Sequence, residues 1–214
     1  MGRHQPGHHR RVSEAGESDP ERQAETRHKL ANIFQLLSTL TRMRLQRAQD
    51  EESRRSLAWM LEMVAGLGAL QHRLHSPGGE DFANYLNDMV GQWRRRCVDR
   101  PIEIVLTTQP LRVSENHASA LALIVNELVL NAIAHGFPDD RGGVIRIELE
   151  DLGGRAALSV SDDGQGYDPK AADSGRLGLW LVNGLASQVR GTLATQSNDG
   201  VRCRLEFPVA ASGP

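Results

Sequence analysis

Between Glu21 and Leu74 the chain has no proline and no glycine before Gly66, and its apolar residues recur at steps of three and four. That spacing marks amphipathic helix rather than strand. The first stripe is Leu30, Ile33, Leu37 and Leu40; the second is Leu57, Met60, Val64, Leu67 and Leu74, interrupted by Gln71. The polar run Gln49-Asp50-Glu51-Glu52-Ser53 between them predicts a short turn and an antiparallel hairpin of two long helices. Two helices bury such stripes poorly alone, so a second copy completing a four-helix bundle is expected, a homodimer through residues 21–76.

Composition bounds the remainder. The 214 residues leave room for one domain of ordinary size beside the hairpin, and 39% hydrophobic content supports a folded core. A net charge of −2 argues against binding nucleic acid by bulk electrostatics. No apolar run is read as approaching the roughly 18 residues that cross a bilayer. The Arg/His/Gly-rich start lacks the apolar stretch of a signal peptide, so a cytoplasmic protein without a membrane span is expected. Cys97 and Cys203 lack partners at metal-ligand spacing and read as buried thiols. Residues 1–20 are too polar to offset their ordering entropy and are expected to be a disordered tail, with His4, His8 and His9 solvated; 210–214 form a second tail.

The cluster Ser76-Pro77-Gly78-Gly79 is the expected domain boundary. Over 80–209 the pattern predicts a helix from Asp81 to Arg96, a strand over 101–108, and a helix from Ser114 to about His135 with Ser114 as its cap. Strands over 144–149 and 157–160, a glycine-rich loop at 162–166, a helix over 177–188 and two closing strands complete it. Hairpin-grouped strands with helices on one side predict an α+β sandwich.

Three stretches carry chemistry. In Glu127-Leu-Val-Leu-Asn131-Ala-Ile-Ala-His135 the polar residues fall at i, i+4 and i+8, nearly on one helix face. A carboxylate and an amide there suit a hydrated Mg²⁺, which keeps several waters and needs few protein oxygens; in isolation the triplet is equally the polar face of an amphipathic helix. Asp162-Asp163-Gly164-Gln165-Gly166 follows a strand pattern, so its glycines permit close backbone approach while Asp162 offers an acceptor to an exocyclic amine. Alone it is an ordinary Asp-Gly turn. Gly175-Arg176-Leu177-Gly178-Leu179 leads into an apolar helix whose first N–H groups suit a phosphate. Their order at tight spacing gives the three stretches joint weight.

Together they resemble the ATPase domain of the Bergerat fold shared by histidine kinases, type II topoisomerases and mismatch-repair proteins. Glu127 and Asn131 match the N box, Asp162, Gly164 and Gly166 the first glycine box, and Gly178 with Leu179 the second. The run from Asn131 to Glu150 is similar to the branch of bacterial sensor kinases with a short nucleotide lid. The resemblance, over about residues 80–208, implies that Asn131 ligates Mg²⁺, Glu127 positions the ion or its water, and Asp162 reads adenine. It places His135 and Arg176 among the residues around ATP.

Arg27-His28-Lys29-Leu30-Ala31-Asn32 is similar to the phosphoacceptor motif of that branch, where His is followed four residues later by Asn. On a helical wheel His28 lies about 180° from Leu37, and Asn32, Gln35, Thr39, Arg42 and Gln46 fall within about 40° of it, a polar stripe facing solvent. The resemblance implies autophosphorylation of His28 by Mg·ATP and transfer to an aspartate of a response-regulator receiver domain docked along that stripe. Asn32 is expected to orient a water for the reverse reaction. Four positions depart from the pattern: Ala134 stands where a phosphate-contacting Lys is usual, Lys29 where an acidic neighbour is common, Val201 where a Thr near adenine is common, and about ten residues, Tyr167 to Arg176, form the lid. Lys170 or Arg176 is the candidate replacement charge. No sensor precedes the hairpin in this reading, so input from a separate sensor protein is one expectation. The competing reading is a histidine phosphotransferase relay whose ATPase-like domain only docks; a third, an anti-sigma-factor serine kinase, leaves the hairpin unexplained.

Overall fold

The structure, a computed structural model, describes residues 19–74, 81–139, 141–166 and 177–209. The hairpin is present: α1 spans Asp19–Arg47 and α2 spans Glu51–Leu74. Asp50 caps α2 by accepting from the Ser53 amide at 2.7 Å, and Glu51 and Glu52 place negative charge at its positive end. The expected tails at 1–20 and 210–214 lie outside the described residues, except that Asp19 and Pro20 open α1.

The second unit follows the predicted order. α3 (Phe82–Arg96) is capped by Asp81, whose Oδ1 accepts from the amides of Ala83 and Leu111, both at 2.9 Å. Then come β1 (Ile102–Thr108), α4 (Glu115–Asn131) capped by Ser114, β2 (Gly143–Asp151), β3 (Arg155–Asp162), α5 (Leu177–Gln188), β4 (Thr192–Ser197) and β5 (Val201–Pro208). The five strands form one sheet in the order β1-β2-β3-β5-β4. β1 and β2 are parallel, which requires a crossover, and α4 supplies it; the other pairs are antiparallel.

The strands alternate as a half-covered sheet demands. Ile145, Ile147 and Leu149 of β2 and Cys203, Leu205 and Phe207 of β5 are buried under the helices. On the other face Arg204 pairs with Glu150 at 2.7 Å and Arg202 with Glu148 at 3.6 Å; such exposed pairs contribute about 0–1 kcal/mol each. Both cysteines are buried and unbridged.

One expectation changes. Glu115–Gly136 does have the length and apolarity of a bilayer-crossing helix, against the reading that no run approaches it. Most of this stretch is buried, because it is the central helix of the domain and is enclosed by α2, α3, α5 and the sheet. The hairpin packs on the second unit through α2. Met63 and Leu70 of α2 are buried, Leu70 within the core of the second unit, and Arg96 of α3 pairs with Glu62 of α2. The stripe facing away is uncovered: Ile33, Leu37 and Leu40 are 50%, 43% and 50% exposed, and Leu36, Met43 and Met60 are exposed beside them.

Candidate functional site

α4 brings Glu127 and Asn131 one turn apart, and Asn131 Nδ2 donates to Glu127 Oε1 at 2.9 Å. That bond fixes the amide so that its other end, Oδ1, is a hard oxygen donor of the kind a magnesium ion takes. A carboxylate and an amide oxygen make a small donor set, and they fit an ion that keeps most of its waters. Among the described residues no cluster of three or more His, Cys, Asp or Glu offers a fuller cage.

Beyond Asn131 the helix widens into a π turn, Ala132–Gly136. π turns inside helices are rare and concentrate at functional sites. The turn adds a residue to the rotation, so the strict i+8 relation of His135 to Glu127 is altered; His135 and Ala134 are exposed. Arg100 closes the end of the turn by donating to the carbonyls of Ile133 and Phe137, groups that a helix end leaves unpaired.

The first glycine loop is stitched to this turn. The Gln165 amide donates to the Gly136 carbonyl at 2.8 Å and its side chain to the His135 carbonyl at 2.9 Å. Asp163 Oδ1 accepts from the Val144 amide at 2.7 Å, and Asp162 Oδ1 from the Gly164 amide at 2.9 Å. Gly164 has no room for a Cβ, which would overlap the Gly136 carbonyl, and Gly166 takes φ +68°. Asp162 therefore sits half-buried at the end of β3, held by the amides of Gly164 and Val201, with Val201 half-buried at the start of β5. Gly178 is buried at the start of α5, against Glu127, and Leu179 is half-buried beside it. Arg176 and Lys170 fall outside the described residues.

Burial pushes the Glu127 carboxyl up, against the hydrogen bonds from Trp59 and Asn131 that lower it. Burial likewise raises Asp162, outweighing the amides of Gly164 and Val201, while Asp163 adds to the rise. A carboxyl raised above its unfolded value stabilises the fold fully below the unfolded pKa, and that contribution is lost as pH climbs through the folded value. The melting temperature is therefore expected to fall as pH rises above the ordinary 4.5 of a glutamate. Glu127→Gln is expected to flatten the slope above the ordinary 4.5 of a glutamate in thermal melts; an unchanged slope would show that Glu127 titrates normally.

One participant was not foreseen. Trp59 of α2 donates its indole Nε1–H to Glu127 Oε2 at 2.6 Å. The signal was in the sequence: Trp59, Met63, Gly66 and Leu70 form a second stripe on α2 beside the one assigned to the bundle. Gly66 lets α2 close on Asn126, whose Nδ2 lies 3.4 Å from where a Cβ at residue 66 would sit. His28 lies in α1, and its side chain is outside the described residues; Asn32, Gln35, Thr39, Arg42 and Gln46 along the same helix are all exposed.

Residues 102–206 match the histidine kinase-like ATPase domain family. The chain is 29% identical over 207 residues to the sensor histidine kinase PdtaS of Mycobacterium tuberculosis, an alignment covering 88% of this chain and 40% of that protein. It thus spans well under half of that relative's length. In fold it is similar to the histidine kinase domain of the Erythrobacter litoralis blue-light activated histidine kinase, with a TM-score of 0.65 at 17% identity over 82% of this chain and 96% of that one. It is also similar to full-length ShkA in complex with AMPPNP, at TM-score 0.51 and 22% identity, over 91% of this chain and 47% of that one.

Proposed function

We propose that this chain is the catalytic core of a two-component histidine kinase, which phosphorylates His28 with Mg·ATP and passes the phosphoryl group to a receiver-domain aspartate. The observation that carries this reading is that Gly178 packs on Glu127 beside Asn131 while the Asp162 loop seats on the π turn continuing the same helix, within a segment that matches the ATPase family. In this reading Asp162 accepts from the adenine amine, the N-terminus of α5 faces phosphate, and Glu127 with Asn131 holds the hydrated cation, which spreads charge from the transferring group.

The neutral imidazole of His28 attacks the γ-phosphorus. A P–N bond forms as the P–O bond to ADP breaks, and the imidazole proton passes to solvent. The uncovered row of Ile33, Leu36, Leu37, Leu40, Met43 and Met60 supports a second copy completing the four-helix bundle. The exposed stripe running from Asn32 to Gln46 supports receiver docking, with Asn32 orienting water for dephosphorylation. The buried carboxylate of Glu127, occupied at both oxygens, favours the relay as the second reading.

Purified protein given γ-labelled ATP and Mg²⁺ is expected to acquire acid-labile, base-stable label that His28→Ala and Asn131→Ala both abolish. Asn32→Ala is expected to keep the label on His28 but slow dephosphorylation of the receiver partner, and the labelled preparation should sediment as a dimer. Absence of both label and nucleotide binding would transfer the conclusion to the relay.

A further inference from the structure

The hairpin reaches the nucleotide site through one side chain. Trp59 Nε1 holds Glu127 Oε2, Asn131 holds Oε1, and Gly178 presses on Oε1 from α5 so closely that a Cβ would overlap it. Glu127 is only 3% exposed. A carboxylate so enclosed cannot meet a hydrated cation, although a cation is what the Glu127–Asn131 pair suits.

The phosphoacceptor is also far away in this arrangement. Gly68 faces Phe34, 3.9 Å from Cβ to Cβ position, which fixes the register of the hairpin. Trp59 then stands level with Met43, and His28 lies farther along α1 by on the order of 20 Å at 1.5 Å per residue. The docked interface also carries a defect. Asn126 Oδ1 accepts from Trp93 Nε1 at 3.1 Å, but its Nδ2 is buried against Gly66 with no hydrogen-bond partner. A buried orphan donor penalises the packing of α2 on α4 and favours its release.

From these observations we infer that Trp59 is an autoinhibitory latch: while its indole N–H holds Glu127, α2 closes the cation end of the nucleotide site, and Mg-nucleotide binding requires α2 to let go. Undocking and nucleotide binding are then linked, so whatever bends the hairpin away from α4 raises nucleotide affinity. The inference rests on the kinase reading above.

Two variants of the full chain test it by calorimetric titration with Mg²⁺ and a non-hydrolysable ATP analogue. Trp59→Phe keeps the aromatic packing and removes the donor; it is expected to bind the analogue about tenfold more tightly than wild type, the size of one charge-assisted hydrogen bond. The double variant Gly66→Cys with Asn126→Cys brings Cβ positions to 3.9 Å, within disulfide reach, and locks α2 in place. Oxidised, it is expected to bind at least about tenfold more weakly than after reduction in the same cell. Equal or weaker binding by Trp59→Phe, or equal binding by the oxidised and reduced double variant, would overturn the latch while wild-type binding kept the kinase reading. Absence of binding in wild type, Trp59→Phe and the reduced double variant alike would overturn both.

Discussion

Replacing Gly178 with alanine is expected to slow labelling of His28 by about a hundredfold, the usual consequence of moving a catalytic group by about 1 Å. The added Cβ overlaps Glu127 Oε1, and neither helix can yield cheaply. Gly178 lies in the first turn of α5, and Glu127 lies within the buried centre of α4. The carboxylate must therefore rotate, which breaks its 2.9 Å bond from Asn131 Nδ2 and frees the amide to turn its oxygen away. Overpacking of this kind costs about 1–3 kcal/mol, so the variant should remain folded in a thermal melt while losing activity. Gly184→Ala is the control, since a Cβ there meets nothing within 4 Å in the same helix. It should match wild type in activity and gain slightly in stability from helix propensity. Normal labelling by Gly178→Ala would mean that Glu127 does not hold the ligand's charge in the reacting state.

The contrast between these two glycines shows what the sequence makes legible. Glycine punctuation, period-two strands and the Ser114 and Asp81 caps are local properties, and the elements they predict lie within a few residues of those observed. The matched boxes also place Glu127, Asn131, Asp162 and Gly178 in order along the chain. What local pattern does not carry is the contact between units. The stripe of Trp59, Met63, Gly66 and Leu70 overlaps the bundle stripe of α2, and periodicity alone does not say that one is left uncovered and the other faces α4. The π turn is hidden for a related reason. Ala132 to Gly136 has ordinary helix composition, and the carbonyls of Ile133 and Phe137 that close the turn engage Arg100, 33 and 37 positions earlier in the chain.

Gly200→Ala tests whether Asp162 is held in place from the β4–β5 turn, and it is expected to be the most destabilising single substitution considered. Gly200 adopts φ +117°, a conformation nearly closed to L residues, and its Cβ would overlap the carbonyl oxygen of Asp162. The two penalties, backbone strain and overpacking, each lie at about 1–3 kcal/mol, so a loss of about 3 kcal/mol or more is expected in chemical denaturation. Gly153→Ala separates them, because Gly153 also has positive φ, +72°, but a Cβ there meets nothing within 4 Å. It should lose only about 1 kcal/mol. Because the overlap at Gly200 falls on the backbone of the residue proposed to read adenine, the destabilised variant should also discriminate less between ATP and GTP. Equal losses at Gly153 and Gly200 would mean that the turn does not press on β3, and that Asp162 takes its position from the amides of Gly164 and Val201 alone.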